Sequence, residues 1–197
     1  MDERLKKQMK FALEMDKEKG IGRQTYILNA LRKENDAEHG WHLALMTMLL
    51  AEYSNEPIDI GRTVEMVVIH DVVEIDAGDT YAYDDAGNAT KAEREKRAAD
   101  RIFGILPKEQ DKYFMDLWLE FEEASTPEAR FATAIDSVQP LMLNDASDGL
   151  AWREHEVAAS KVRERACKKI KPGSEKLYEM VLDIIEENVR KGNLKDC

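Results

Sequence analysis

Apolar residues recur along this chain at helical rather than strand spacing. Leu5, Met9 and Leu13 stand four apart, and the pattern continues to Gly20, which predicts a first helix closed by a glycine cap. "NDAEHGWHLALMTMLLAEY" offers Asn35 or Asp36 as an N-cap and stays apolar at i, i+4 and i+7 to Tyr53. A third helix is predicted from about Asp59 to Asp76, stopping before Gly78, with a polar loop over 78–90 behind it. Charged helix resumes near Lys91 and fades at Gly104. Pro107 and Pro127 each suit a first turn, and Thr126 is a good cap for the second. "NDASDG" (144–149) reads as a turn, and "PGS" (172–174) separates two final helices, the last closing at Gly192. No segment alternates as a strand does, so the pattern predicts an all-α helical bundle.

Three of these helices carry ionisable groups on their apolar stripes. With His39 as origin and about 100° per residue, Leu43, Met46 and Leu50 fall within roughly 40° of it. His42 lies nearer the edge of that stripe, and it and Trp41 read as packing or supporting residues. In "VVIHDVVEIDAGDT" (67–80), His70 shares a face with Thr63, Met66, Val67 and Glu74, and Asp71 sits on the flank toward Glu74. In "ARFATAIDSVQPLML", Asp136 joins Ala129, Ala132 and Leu143 in the stripe, and Pro140 cannot donate to its carbonyl. Asp76, off the shared face, reads as a solvated or capping acid, and His155 as surface or pocket rim.

Burying these acids is costly unless something compensates them. A lone buried histidine is more often a hydrogen-bonded core residue than a ligand. Two imidazoles and two carboxylates converging from three helices are different: His39, His70, Asp71 and Asp136 make a first shell for a divalent cation. Water on such a cation becomes a nucleophile near neutral pH, and Glu74 is placed to act as general base or acid.

Composition narrows the partners. The 197 residues are 43% hydrophobic and 35% charged, as expected of one globular domain with a substantial core. A formal charge of −11 disfavours long nucleic acids and anionic membranes, while a small anionic ligand remains compatible if local cations reverse the field. Cys167 and Cys197 are too few for a disulfide framework, and neither a signal peptide nor a spanning segment is found, so a cytoplasmic protein is expected.

"ENDAEH" with "EHGWH", then "HDVVEIDAGD", then "ATAIDSVQ" resemble the H…HD…D signature of the HD-domain phosphohydrolases, and most closely the 5′-deoxynucleotidases of the YfbR type. The similarity runs from about Arg23 to the Arg153 region, which makes about 23–155 the core of a single domain over 1–197, flanked by terminal helices. The resemblance implies an all-α HD fold that removes phosphate from deoxynucleoside 5′-monophosphates. His39, His70, Asp71 and Asp136 would hold the cation, typically Mn, Co, Mg or Zn. Glu74 would manage the proton of the attacking water, Asp79 would accept a hydrogen bond from the sugar 3′-hydroxyl, and Arg23 would grip phosphate.

Arg32 competes with Arg23 for that role, because the spacing from Arg23 to His39 is about one residue longer than in bacterial members. Gln24 stands where those members carry a tryptophan that crowds the 2′ position, which leaves ribo- against deoxyribonucleotide selectivity open. Asp79 has a plain alternative as a loop residue bonding its own backbone. Relatives commonly form homodimers. Other readings of the same residues are a phosphohydrolase acting on a nucleoside triphosphate or another phosphorylated metabolite, a non-catalytic nucleotide sensor, and a helical interaction protein.

Overall fold

A computed structural model describes residues 2–197. The chain runs α1 (Glu3–Met15), β1 (Gly22–Tyr26), β2 (Lys33–Asn35), α2 (Asp36–Leu50), α3 (Ile60–Ile69), α4 (Glu74–Ala77) and α5 (Asp85–Phe103). It continues through α6 (Lys108–Glu123), α7 (Pro127–Ala146), α8 (Leu150–Glu154), α9 (Ala159–Lys169) and α10 (Glu175–Lys191). The all-α reading holds, with one small antiparallel hairpin inserted: Gly22 pairs with Asn35 and Tyr26 with Lys33, across a register irregularity.

That hairpin corrects the expectation that no strand forms. Its strands are too short to show alternation, and within them only Thr25 and Glu34 are buried. The third predicted helix is two. Between α3 and α4 the winding tightens, with the Val72 amide bonding the Ile69 carbonyl at 3.3 Å and the Glu74 amide the Asp71 carbonyl at 2.8 Å. His70 Nδ1 lies 3.0 Å from the Val67 carbonyl at the same place, so a side chain competes for the helix's own acceptor. The predicted loop over 78–90 is shorter than expected: Asp84 accepts from the amides of Ala86 and Gly87 and caps α5.

α7 is the axis of the molecule. Thr126 caps it, Pro127 starts it, and it passes through Pro140 without interruption. It packs against α2, α3, α6, α9 and α10. Phe131, Ile135 and Val138 on it are almost wholly buried, with Leu43 of α2 and Met66 of α3 in the same core. Burying each large side chain contributes about 1.5–3 kcal/mol. Asp136 is thereby fixed on a helix that the rest of the chain encloses.

Candidate metal centre

The N-terminus of α2 sets the first imidazole. The Asn35 side chain accepts from the Glu38 amide at 2.9 Å, and Glu38 accepts in return from the Asn35 amide at 3.1 Å. This reciprocal cap locks the first turn and the rotation of His39, one residue later. His39 is fully buried, its Nε2 3.1 Å from Asp136 Oδ1. Its Nδ1 is 3.2 Å from Gln139 Oε1, so a proton on Nδ1 leaves Nε2 for the centre.

His70 arrives from the end of α3. With Nδ1 held by the Val67 carbonyl, Nε2 sits 3.1 Å from Asp71 Oδ1 and 3.5 Å from Asp136 Oδ1. It is in hydrogen-bonding geometry with neither. Ligand atoms of His39, His70 and Asp136 all lie within 4.8 Å of one another, and so do those of Asp36, Asp71 and Glu74. Asp71 links the two groups, its Oδ2 3.9 Å from His39 Nε2. All four residues proposed from sequence as ligands therefore meet.

Arg23 on β1 enters this cluster, and Arg32 does not. Arg23 Nη1 donates to Asp71 Oδ2 at 2.6 Å and to Asp36 Oδ1 at 3.3 Å, with Nε 3.4 Å from Glu34. Arg32 is exposed and paired with Glu38 at 2.5 and 2.7 Å, outside the cavity. The hairpin explains the difference, because it turns the two arginines to opposite surroundings.

The electrostatics are those of a site short of positive charge. Burial opposes ionising His39, as does Arg23, yet its hydrogen bond with Asp136 and the nearby Glu34 carboxylate hold its pKa above the ordinary value. Burial likewise works against charging His70, and Asp71 and Asp136 outweigh it strongly. Burial would raise Asp136, but its bond with His39 and the nearby His70 imidazole hold it well below the usual range. Asp71 is held low against burial by His70 and Arg23. Glu74 goes the other way: burial, then Asp71, Asp36 and Asp79, push it up to about 10. Burial raises Asp79 as well, against the pull of Arg23.

Buried oxygens of Glu74 and Asp36 have no hydrogen-bond partner, and neither does His70 Nε2. Two imidazole nitrogens, several hard carboxylate oxygens and unpaired polar atoms between them fit a divalent cation by donor chemistry and by spacing. Of these residues His70, Asp71, Glu74 and Asp136 open onto a cavity of about 370 Å³, while His39 and Asp36 are buried behind its wall. Asp79 lines it from the segment after α4, and Gln24 lines it beside Arg23, its Oε1 accepting from Lys33 at 2.7 Å.

Several contributors escaped the sequence reading. Fully buried Gln139 also donates from Nε2 to Glu34 Oε2 at 2.9 Å and lies 3.2 Å from His42 Nδ1, which joins four residues behind the centre. Its signal was its place three residues after Asp136. Asp36 read only as a cap; it is buried beside Arg23. Lys91 lines the cavity 3.3 Å from Glu95. Trp41, read as a packing or supporting residue, is 65% exposed. Asp76 pairs with Arg101, and His155 stands on the rim, its ring 4.4 Å from Tyr81.

Comparison with known proteins agrees with this geometry. A family model described as HD domain matches residues 15–178. A crystal structure from Magnetospirillum magnetotacticum, described as a predicted metal-dependent phosphohydrolase, superposes with TM-score 0.92 at 46% identity, over 97% of this chain and 95% of that one. The human 5′-deoxynucleotidase HDDC2 is 28% identical over 114 residues, 58% of this chain and 54% of its own. The fission yeast 5′-deoxynucleotidase hdd1 is 29% identical over 126 residues, 59% of this chain and 60% of its own. The chain thus spans little more than half the length of these curated relatives. Among the described residues no helix is long and apolar enough to cross a membrane. With the match covering most of the sequence and the histidine–aspartate centre in place, this chain belongs to the HD-domain family.

Proposed function

We propose that the cavity hydrolyses nucleoside 5′-monophosphates, deoxynucleotides among them, to nucleoside and phosphate. The observation that carries this is the convergence of His39, His70 and Asp136, with Asp71 beside His70 and Arg23 and grouped with Glu74, at the wall of one cavity. Relatives named 5′-deoxynucleotidases support the substrate class. The four residues would hold a divalent cation, whether manganese, cobalt, magnesium or zinc. When bound, the cation supplies Lewis acidity toward the phosphoryl oxygens and offsets the negative charge of the acids.

The remaining roles fall to the chain's own groups. Arg23 offers guanidinium donors to the phosphate oxygens. Asp79 accepts from the sugar 3′-hydroxyl and fixes the substrate's orientation. Water attacks phosphorus, an O–P bond forms, and the bond from phosphorus to the 5′-oxygen breaks. Glu74 takes the water's proton and returns it to the departing 5′-oxygen. Its place on the cavity wall, close to Asp71, suits that exchange. Residues 1–197 act as one unit in this account, since α7 packs against helices on both sides of it in sequence.

Phosphate release from matched ribo- and deoxynucleotides and from non-nucleotide phosphomonoesters, with added manganese or cobalt, tests the proposal. Nucleoside 5′-monophosphates should be the best substrates; equal turnover of simple phosphate esters would refute it. The outward face of α2 adds a homodimer to the proposal. Trp41, Leu45, Met48 and Leu49 are 65%, 46%, 61% and 73% exposed, an apolar stripe suited to a second copy. Sedimentation velocity should give a dimer that Leu49→Glu dissociates; a monomeric wild type would remove it.

A further inference from the structure

One face of α9 lines the cavity. Val162, Arg165, Ala166, Lys169 and Ile170 recur there at intervals of three and one, which places them on a single helical face. Val162, Ala166 and Ile170 are buried in the core. Arg165 and Lys169 form a basic edge beside them, about 6 Å apart along the helix axis. Gly173, just past the helix, has no room for a side chain against the Arg130 carbonyl, so α9 ends beside the first half of α7. It begins next to α8, at the other end of α7, and runs antiparallel along the helix that carries Asp136.

The cations of this cavity are not equivalent. Arg23 is surrounded by Asp71, Asp36 and Glu34, and Lys91 stands 3.3 Å from Glu95. Arg165 and Lys169 form no hydrogen bond or ion pair with any described residue, although Glu95 and Glu122 line the same cavity. Lys169 is exposed, and Arg165 is half-buried beside Tyr83. Burial raises the pKa of that phenol, and the nearby guanidinium works against the rise. Like charges one turn apart disfavour a helix unless something offsets them. On its solvent side α9 does offset them, with Lys168 donating to Glu164 at 2.6 Å. In a chain of net charge −11, two cations left without an acid on a cavity wall are complementary to an anion brought from outside.

We propose that Arg165 and Lys169 form a second anion subsite, which holds a phosphate or carboxylate carried by the substrate in addition to the phosphate that is hydrolysed. The groups assigned to the reacting phosphate lie on β1, α2, α4 and α7 and at the end of α3. None is on α9, so a ligand whose only charge sits at that centre leaves the basic edge without a counter-ion. Arg165 offers paired N–H donors and Lys169 a point charge, a combination that suits either anion. The inference rests on the nucleotidase reading and deepens it, by making doubly anionic nucleotides the preferred substrates.

The test compares a deoxynucleoside 5′-monophosphate with two relatives, its 3′,5′-bisphosphate and a 5′-monophosphate whose base bears a carboxylate. Loss of the 5′-phosphate is read from the dephosphorylated product, with manganese and at one ionic strength. In wild type at least one doubly anionic compound should show a KM lower by about tenfold or more. Preference for the bisphosphate places the second anion at the sugar, and preference for the carboxylate places it at the base. The double variant Arg165→Ala/Lys169→Ala, shown to be folded by circular dichroism, should bring that ratio close to one. Equal KM values for all three compounds in wild type would overturn the subsite. So would a ratio that the folded variant leaves intact, as when every KM rises together because the cations only steer anions inward. Calorimetric titration of manganese-loaded Glu74→Gln gives the same ratio as Kd values, without turnover. Failure of wild type to release the 5′-phosphate from any compound would defeat the nucleotidase reading alone, since the Kd ratio still decides the subsite.

Discussion

Two buried polar networks in this molecule follow opposite rules. Near the end of α10, Asn188 donates to Asp145 at 2.7 Å and to the Ile184 carbonyl at 2.9 Å, and its own oxygen accepts from Asn193 at 2.9 Å. Arg153 completes the circuit by donating to Asn193 at 2.8 Å. The side-chain groups of both asparagines are spent, and the network ties α7, α8 and α10 together. Around Asp136 the reverse holds: Glu74, Asp36 and His70 each bury an atom with no hydrogen-bond partner. Asn188 and Asn193 are as deeply buried as Asp36, His70 and Glu74, so burial alone does not separate the two regions. What separates them is completeness, and the incomplete network is the one that opens onto a cavity.

Glu74→Gln should break the open network's chemistry while sparing its assembly. Removing a group that moves protons lowers kcat by about 10²–10⁴-fold, with bound metal retained. Turnover equal to wild type would strip Glu74 of its role. Gln139→Leu acts one layer out. It removes the acceptor of His39 Nδ1 and the donor to Glu34, and support of this kind is worth about 10–100-fold in metal affinity. Unaltered affinity in competition with a chelator would show that Gln139 only fills space.

The closed network should answer differently. Asn188→Ala leaves Asp145 and Asn193 short of partners and costs about 1–3 kcal/mol, with Tm falling about 2–4 °C for each kcal/mol. Its kcat should stay within about twofold of wild type. A catalytic loss without a thermal one would erase the distinction between the regions.

Much of the open region was legible in the sequence because its residues break a rule that sequence displays. His39, His70 and Asp136 are polar intruders on apolar helical stripes, and periodicity exposes such residues. Gln139, equally buried, went unseen, since an uncharged amide in the same helix raises no electrostatic alarm. Asp36 was hidden by its usefulness as a cap. The choice between Arg23 and Arg32 depended on a hairpin too short to alternate, and the division of α3 from α4 on a histidine bonding back to its own helix. Tertiary context decided each of these. The closed network left no trace at all, because asparagines near a helix end ordinarily announce a turn.

The central claim is that the open network is completed by a divalent cation. Elemental analysis after manganese exposure and desalting, on wild type and on Asp136→Ala shown to be folded, tests it most directly. The account predicts about one equivalent of metal in wild type and almost none in the variant, since the variant loses the carboxylate that meets both imidazoles. Metal-free wild type, or the same metal content in both proteins, would contradict it.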